Sequence, residues 1–208
     1  MKPIFNQVAV IGAGAMGRGI AQIAAQAGSQ VWLYDTQAEA TLKAKDAVYQ
    51  MWDSLALKGR LDTETVSTYK SRLHIAASLQ DLKNCEMVVE AIIERLDIKK
   101  NLFVDLESIL SESAILVTNT SSLSVTAIAA ALKRPALFAG YHFFNPVPLM
   151  KVVEVIRGLK TSANTCEGLT QFAREMGHTP VQAQDTPGFI VNHAGRGYGT
   201  EALRIVSE

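Results

Sequence analysis

Three observations predict an α/β fold built on a doubly wound, mostly parallel sheet. Short apolar runs alternate with amphipathic stretches long enough for helices. A Gly-x-Gly-x-x-Gly turn, Gly12, Gly14 and Gly17, follows the first apolar run directly. The 208 residues are 48% hydrophobic and 19% charged, with 20 basic side chains against 20 acidic ones. That is the balance of a globular chain able to bury a core without disulfides or metals.

Taken in order, Val8 to Ile11 reads as a strand, Ala15 to Ala27 as a helix closed by Gly28, and Val31 to Tyr34 as a second strand ending at Asp35. A long helical pattern runs from Gln37 to Lys58 and stops at Gly59; a polar helix follows from Asp62 to Ser71. Strands at Leu73 to Ala76, Met87 to Glu90 and Ala114 to Thr118 alternate with a short helix after Ser78 and a longer one from Leu96 to Leu110. This β-α-β rhythm implies parallel strands with helices on both faces. After a helix at Ser124 to Leu132 the rhythm changes. Leu137 to Tyr141 and Lys151 to Ile156 read as strands joined by Asn145-Pro146-Val147-Pro148, whose prolines cannot sit in a central strand, so an antiparallel edge is expected. A helix from Ser162 to Met176 and a strand at Thr179 to Ala183 complete the sheet.

The segment from Phe189 to Glu208 carries a helical apolar stripe through Ile190, Val191, Ala194, Tyr198, Leu203 and Val206, and no Gly or Pro closes it. Thr186-Pro187-Gly188 breaks structure just before it. The expected domains are therefore 1–186, a nucleotide-binding sheet, and 187–208, the first helix of a helical C-terminal domain whose remainder is absent.

Composition excludes several classes. Zero net charge provides no basic stripe for nucleic acid. The longest uncharged run, Ser113 to Leu132, holds eight Ser, Thr or Asn in twenty residues, so it is not a membrane span. The apolar stretch near the N-terminus is too short for a secretion signal. Cys85 and Cys166 are far apart and sit in no metal-ligand spacing, so no metal is expected and a reducing cytoplasm is the expected home.

The glycine turn carries the first functional reading. Gly12 permits the tight turn, Gly14 lets backbone approach a pyrophosphate, and Gly17 lets helix and strand pack closely, with the helix N-terminus facing the phosphates. Asp35 lies 23 residues after Gly12, at the end of the second strand. A carboxylate there accepts hydrogen bonds from the adenosine ribose and repels a 2′-phosphate; the same residue also suits a helix N-cap. Strand, glycine turn, helix, strand and acid in that order select a Rossmann-type dinucleotide site, for NAD rather than NADP.

Four polar residues stand where strands end or helices begin. Ser121 follows the strand ending at Thr118 and reads equally as a ligand contact or as part of a capping cluster. His142, flanked by Phe143 and Phe144, suits a packed structural role or a general base. Glu154 lies twelve residues later on the returning strand, where a carboxylate orients an imidazole. Its apolar neighbours argue for burial, which demands a partner. Asn192, at the start of the last helix, serves the nicotinamide or substrate, or a cap between domains.

Gly140-Tyr141-His142-Phe143-Phe144-Asn145-Pro146, then Met150-Lys151-Val152-Val153-Glu154-Val155, then Asp185-Thr186-Pro187-Gly188-Phe189-Ile190-Val191-Asn192 resemble the signature of the L-3-hydroxyacyl-CoA dehydrogenases. Val10 to Gly17 is similar to that family's cofactor turn, and Glu90-Ala91-Ile92, Glu94, Lys99 and Asn119 to Leu123 are similar to its middle. The resemblance spans nearly the whole chain. It implies that Gly12, Ala13, Gly14, Ala15, Met16, Gly17 and Asp35 hold NAD, and that Ala91, Glu94, Lys99 and Asn119 line the cofactor groove. It further implies that His142 is the base at the 3-hydroxyl, Glu154 its partner, and Ser121 and Asn192 the residues that hold substrate oxygen and nicotinamide. Ser121, Lys58 and Lys99 would meet the 3-hydroxyacyl-CoA or 3-ketoacyl-CoA substrate; the family's serine near Lys58 falls at Met51. Lys58 also fits a solvated helix-end charge. The family's following helical domain, roughly a hundred residues, closes over substrate and makes a homodimer. The alternative function is a non-catalytic NAD-binding module, or a portion of a longer enzyme that is inactive without that domain.

Overall fold

Alternating side chains on the first strand, β1 (Gln7–Ile11), send Val8 and Val10 into one apolar cluster and Ala9 and Ile11 into another. Burial on both faces is what a parallel sheet covered by helices requires. The computed structural model describes residues 3–207; Met1, Lys2 and Glu208 lie outside the described residues. After β1 come α1 (Ala15–Ala27), β2 (Gln30–Tyr34), α2 (Ala38–Leu57), α3 (Thr63–Ser71), β3 (Leu73–Ile75), β4 (Met87–Glu90) and α4 (Leu96–Ile109). Then follow β5 (Ile115–Thr118), α5 (Val125–Ala129), β6 (Phe138–Phe143), β7 (Val152–Arg157), α6 (Ala163–Glu175), β8 (Thr179–Gln184) and α7 (Val191–Ser207).

The eight strands form one sheet in the order β3-β2-β1-β4-β5-β6-β7-β8. The chain order reverses between β1 and β4, and ligands of such sheets bind beyond the strand ends at that point. All neighbours are parallel except β6 and β7. Because β8 runs parallel to β7, the antiparallel edge consists of two strands. Ile20, Val48, Trp52, Val66, Leu169 and Phe172 of α1, α2, α3 and α6 pack in one cluster; Phe103, Leu106, Val125 and Ile128 of α4 and α5 pack in the other.

Up to Gln184, two element boundaries depart from expectation by more than one residue. The helix expected to reach Leu132 ends at Ala129, because the Ala131 and Leu132 N–H groups bond three residues back, to Ile128 and Ala129, tightening the last turn. The strand expected to end at Tyr141 runs on through His142 and Phe143. Its ladder to β7 continues through His142 opposite Glu154 and Phe143 opposite Val153. The last helix, α7, forms as expected and buries none of its residues.

Candidate active site

Steric exclusion shapes the glycine turn. Gly12 sits at φ 102°, and a Cβ there would lie 2.4 Å from the Ala91 carbonyl oxygen. At Gly17 a Cβ would lie 1.8 Å from the Gly12 oxygen, so only glycine lets α1 pack this close to β1. Gly14 is different: nothing lies within 4 Å of its Cβ position, and no side chain caps α1. An open helix start with uncapped N–H groups fits a pyrophosphate. Asp35 accepts the Ala13 N–H at 2.8 Å on one oxygen and the Gln37 N–H at 3.0 Å on the other. It therefore braces the glycine turn and the entry to α2 while lining a cavity of about 340 Å³ with Ile11, Tyr34, Ile92 and Leu102. Ribose acceptor and local brace are compatible roles for one carboxylate.

Cross-strand neighbours in an antiparallel pair face the same side. That register brings His142 Nδ1 to 2.6 Å from Glu154 Oε2, with His142 5% and Glu154 0% exposed. The Asn119 side-chain oxygen fixes the strand end by accepting the Phe143 N–H at 2.9 Å. A buried carboxylate is costly unless its oxygens are satisfied. Glu154 meets that demand, since its Oε1 also accepts the Ile190 and Val191 N–H groups at 2.9 and 3.0 Å. With Nδ1 engaged, Nε2 is the ring nitrogen left for chemistry. His142 lines a cavity of about 450 Å³ together with Met16, Ala91, Glu94, Asn119, Ser121 and Asn192. Six residues proposed from separate stretches of sequence thus surround the same space as His142.

Ser121 is placed by Glu94, which accepts the Thr120 hydroxyl at 2.5 Å and the Ser121 N–H at 2.9 Å. Burial pushes the Glu94 carboxyl up, but the Thr120 hydrogen bond, the Lys99 charge and the Ser121 N–H outweigh it, and the group ends below the usual carboxylate value. Asn192 Nδ2 donates to the Ser121 carbonyl at 3.2 Å, tying α7 to the same loop. Lys99 stands apart from its expected role. It is 1% exposed, and its ammonium lies 2.5 Å from Glu90 and 3.3 Å from Glu94. A lysine so compensated inside the protein reaches a ligand only through Glu94, not by its own charge.

The central cavity adjoins two others. Ile92 is shared with the Asp35 cavity, and Asn145 with a cleft of about 480 Å³ between α1, α2 and the proline loop. Arg18, Met51, Leu55 and Lys151 are among the walls of that cleft. Lys58, the exposed C-cap of α2, lies beyond them. Asn145, Asp185 and Phe189 had no assigned role in the sequence reading. Asn145 had a signal, its place at the head of the proline loop. Asp185 caps α5, accepting the Thr126 and Val125 N–H groups and the Ser124 hydroxyl. Burial pushes Asp185 up, but those bonds hold it below the usual carboxylate value.

Among the described residues no helix is long and apolar enough to cross a membrane, and no group of three or more His, Cys, Asp or Glu is placed to hold a metal ion. A doubly wound sheet with an open glycine turn and an acid closing the second strand defines a dinucleotide-binding domain of Rossmann type. The family model described as the NAD-binding domain of 3-hydroxyacyl-CoA dehydrogenase matches residues 7–186, and the chain belongs to that family. It is 46% identical over 201 residues to a 3-hydroxyadipyl-CoA dehydrogenase of Escherichia coli, covering 97% of this chain and 42% of that protein. It is 45% identical over 199 residues to a probable 3-hydroxybutyryl-CoA dehydrogenase of Deinococcus radiodurans, covering 96% of this chain and 71% of the relative. A crystal structure of a 3-hydroxybutyryl-CoA dehydrogenase from Escherichia coli superposes with a TM-score of 0.95 at 45% identity, over 98% of this chain and 43% of that one. The chain thus spans less than half the length of two of these three relatives.

Proposed function

We propose that the protein takes part in the NAD-dependent oxidation of a 3-hydroxyacyl-CoA to the 3-ketoacyl-CoA, and in the reverse reduction, with His142 and Glu154 as general base and its partner. The observation that carries this reading is the buried 2.6 Å pair whose imidazole lines the central cavity. Held by the glycine turn and Asp35, NAD would supply the hydride acceptor for C3. His142 Nε2 takes the hydroxyl proton, and Glu154 holds the ring by Nδ1 and stabilises the imidazolium that results. In the reverse direction protonated His142 returns the proton to the forming alkoxide. Ser121 and Asn192, joined to each other across the cavity wall, orient the reacting oxygen. Gly12 to Gly17 and Asp35 hold the dinucleotide, and Ala91, Glu94 and Asn119 border its inner end.

That Asn145 borders both the central cavity and the cleft walled by Arg18 and Lys151 supports a thioester arm with its CoA phosphates lying in that direction. Residues 1–186 are read as the NAD-binding unit and 187–208 as the start of a helical unit. The family resemblance extends the reading to a homodimer, and the two free, buried cysteines fit a cytoplasmic home. A second reading, NAD binding without turnover outside a longer polypeptide, draws on the exposed Tyr198, Leu203 and Val206 of α7. Following NADH absorbance with acetoacetyl-CoA tests the first: turnover is expected, and equal activity in His142→Gln would remove His142 from the mechanism. Calorimetric NAD binding with no turnover favours the second.

A further inference from the structure

We propose that the turn from Gly188 to Val191 is a clamp that positions the His142–Glu154 pair, with Phe189 as its positioning residue. Among the described residues Phe189 is the one non-glycine with positive φ, 51°. A bulky residue in that region is strained and persists only where its surroundings over-determine it. Those surroundings include the catalytic pair, beside an apolar cluster and a turn closed by the Phe189 N–H on the Thr186 carbonyl. The buried Phe189 ring lies beside the His142 ring, centroids 5.7 Å apart, and the next two backbone N–H groups both donate to Glu154 Oε1.

Helices ordinarily satisfy their first N–H groups with a side chain close in sequence. The entry to α7 is satisfied instead by a carboxylate 36 and 37 residues away, whose other oxygen holds the imidazole. One carboxylate is therefore shared between the helix entry and the base, so displacing the helix entry moves the group that holds the base. Asn192 follows directly and bonds the Ser121 carbonyl, so the clamp also fixes that residue on the wall of the cavity that His142 lines. Glutamine is not equivalent to Glu154 here. It carries no charge, and if its oxygen keeps the two N–H groups, its NH2 can meet His142 Nδ1 only in the tautomer that puts the ring proton on Nε2, which removes the base.

The inference rests on reading His142 as the base, but its test needs no turnover. In the ligand-free protein, nitrogen-15 NMR is expected to show the His142 Nδ1 proton as a sharp downfield resonance. Phe189→Leu should broaden or shift it while the rest of the spectrum stays folded. Gly188→Ala, whose Cβ would lie 3.0 Å from the His193 nitrogen, disturbs the same turn and serves if the leucine variant does not fold. Amide exchange at Ile190 and Val191 should speed up at least about tenfold in Glu154→Gln, the effect of losing or weakening a charge-assisted hydrogen bond, and change little in His142→Gln. In turnover, Phe189→Leu should lower kcat several-fold with KM nearly unchanged. An unchanged His142 resonance in the folded turn variants, or amides at 190 and 191 indifferent to Glu154→Gln, would overturn the clamp.

Discussion

Glu154 and Glu90 are both fully buried carboxylates on strands of one sheet, each with a cationic or protonatable partner close by, His142 at 2.6 Å and Lys99 at 2.5 Å. Their surroundings diverge from there. Around Glu90 the polar groups close on themselves: Oε1 also takes the Ile92 N–H, Oε2 the Thr118 hydroxyl, and Lys99 is further bound to Glu94. Around Glu154 the partner is only half engaged, and its ring lines a cavity. Burial and pairing alone therefore do not mark a chemical centre. What separates the two is whether the partner keeps an atom free toward a space that a ligand can enter.

The comparison can be broken most sharply at His142. His142→Gln should lower the rate of acetoacetyl-CoA reduction about 10²- to 10⁴-fold, the usual worth of a positioned acid or base. Its amide still donates to Glu154, so the melting temperature should fall far less than for the next variant. Lys99→Met removes the cation that compensates the buried Glu90 and should cost roughly 3–5 kcal/mol in urea unfolding. Replacing both members, Glu90→Gln with Lys99→Met, should recover much of that. A single variant as stable as the wild type would show that the Glu90 pair is not compensating buried charge.

A smaller effect is expected at Asp185, outside both pairs. Asp185→Asn weakens the cap on α5 and should cost about 1–2 kcal/mol at neutral pH. Its folded carboxyl lies below the ordinary 3.8, as Glu94 lies below 4.5. The stabilisation of each is complete above those ordinary values and is lost as pH falls through the lower folded ones. The gap between wild type and Asp185→Asn in thermal melts should accordingly narrow below about pH 4. Least of all, Glu39→Gln removes an exposed pair to Lys43 and should change stability by under about 0.5 kcal/mol.

Much of this arrangement is legible in the sequence, for local reasons. The glycine turn is a steric requirement written at three positions, and the β-α-β rhythm is a periodicity. The pairing of His142 with Glu154 was readable because a proline loop between two apolar runs forces an antiparallel return, and only one register sets the two opposite each other. Lys99 was not readable in the same way. An amphipathic pattern says which face of α4 turns inward, but not that two carboxylates at the end of β4 wait there to take up its charge. Nor does a bulky residue such as Phe189 announce a positive φ by its own type, and only the fold brings its ring beside His142 and the following N–H groups to Glu154.

Sequence alone determined the order of elements, the dinucleotide turn and the placing of His142 opposite Glu154, because these depend on backbone sterics, side-chain periodicity and residue chemistry within short stretches. Tertiary structure alone decided which buried charges are spent on the fold and which stay available for chemistry. That division depends on distances between residues from different elements, where the cost of burying a charge is met by partners that no local pattern can count.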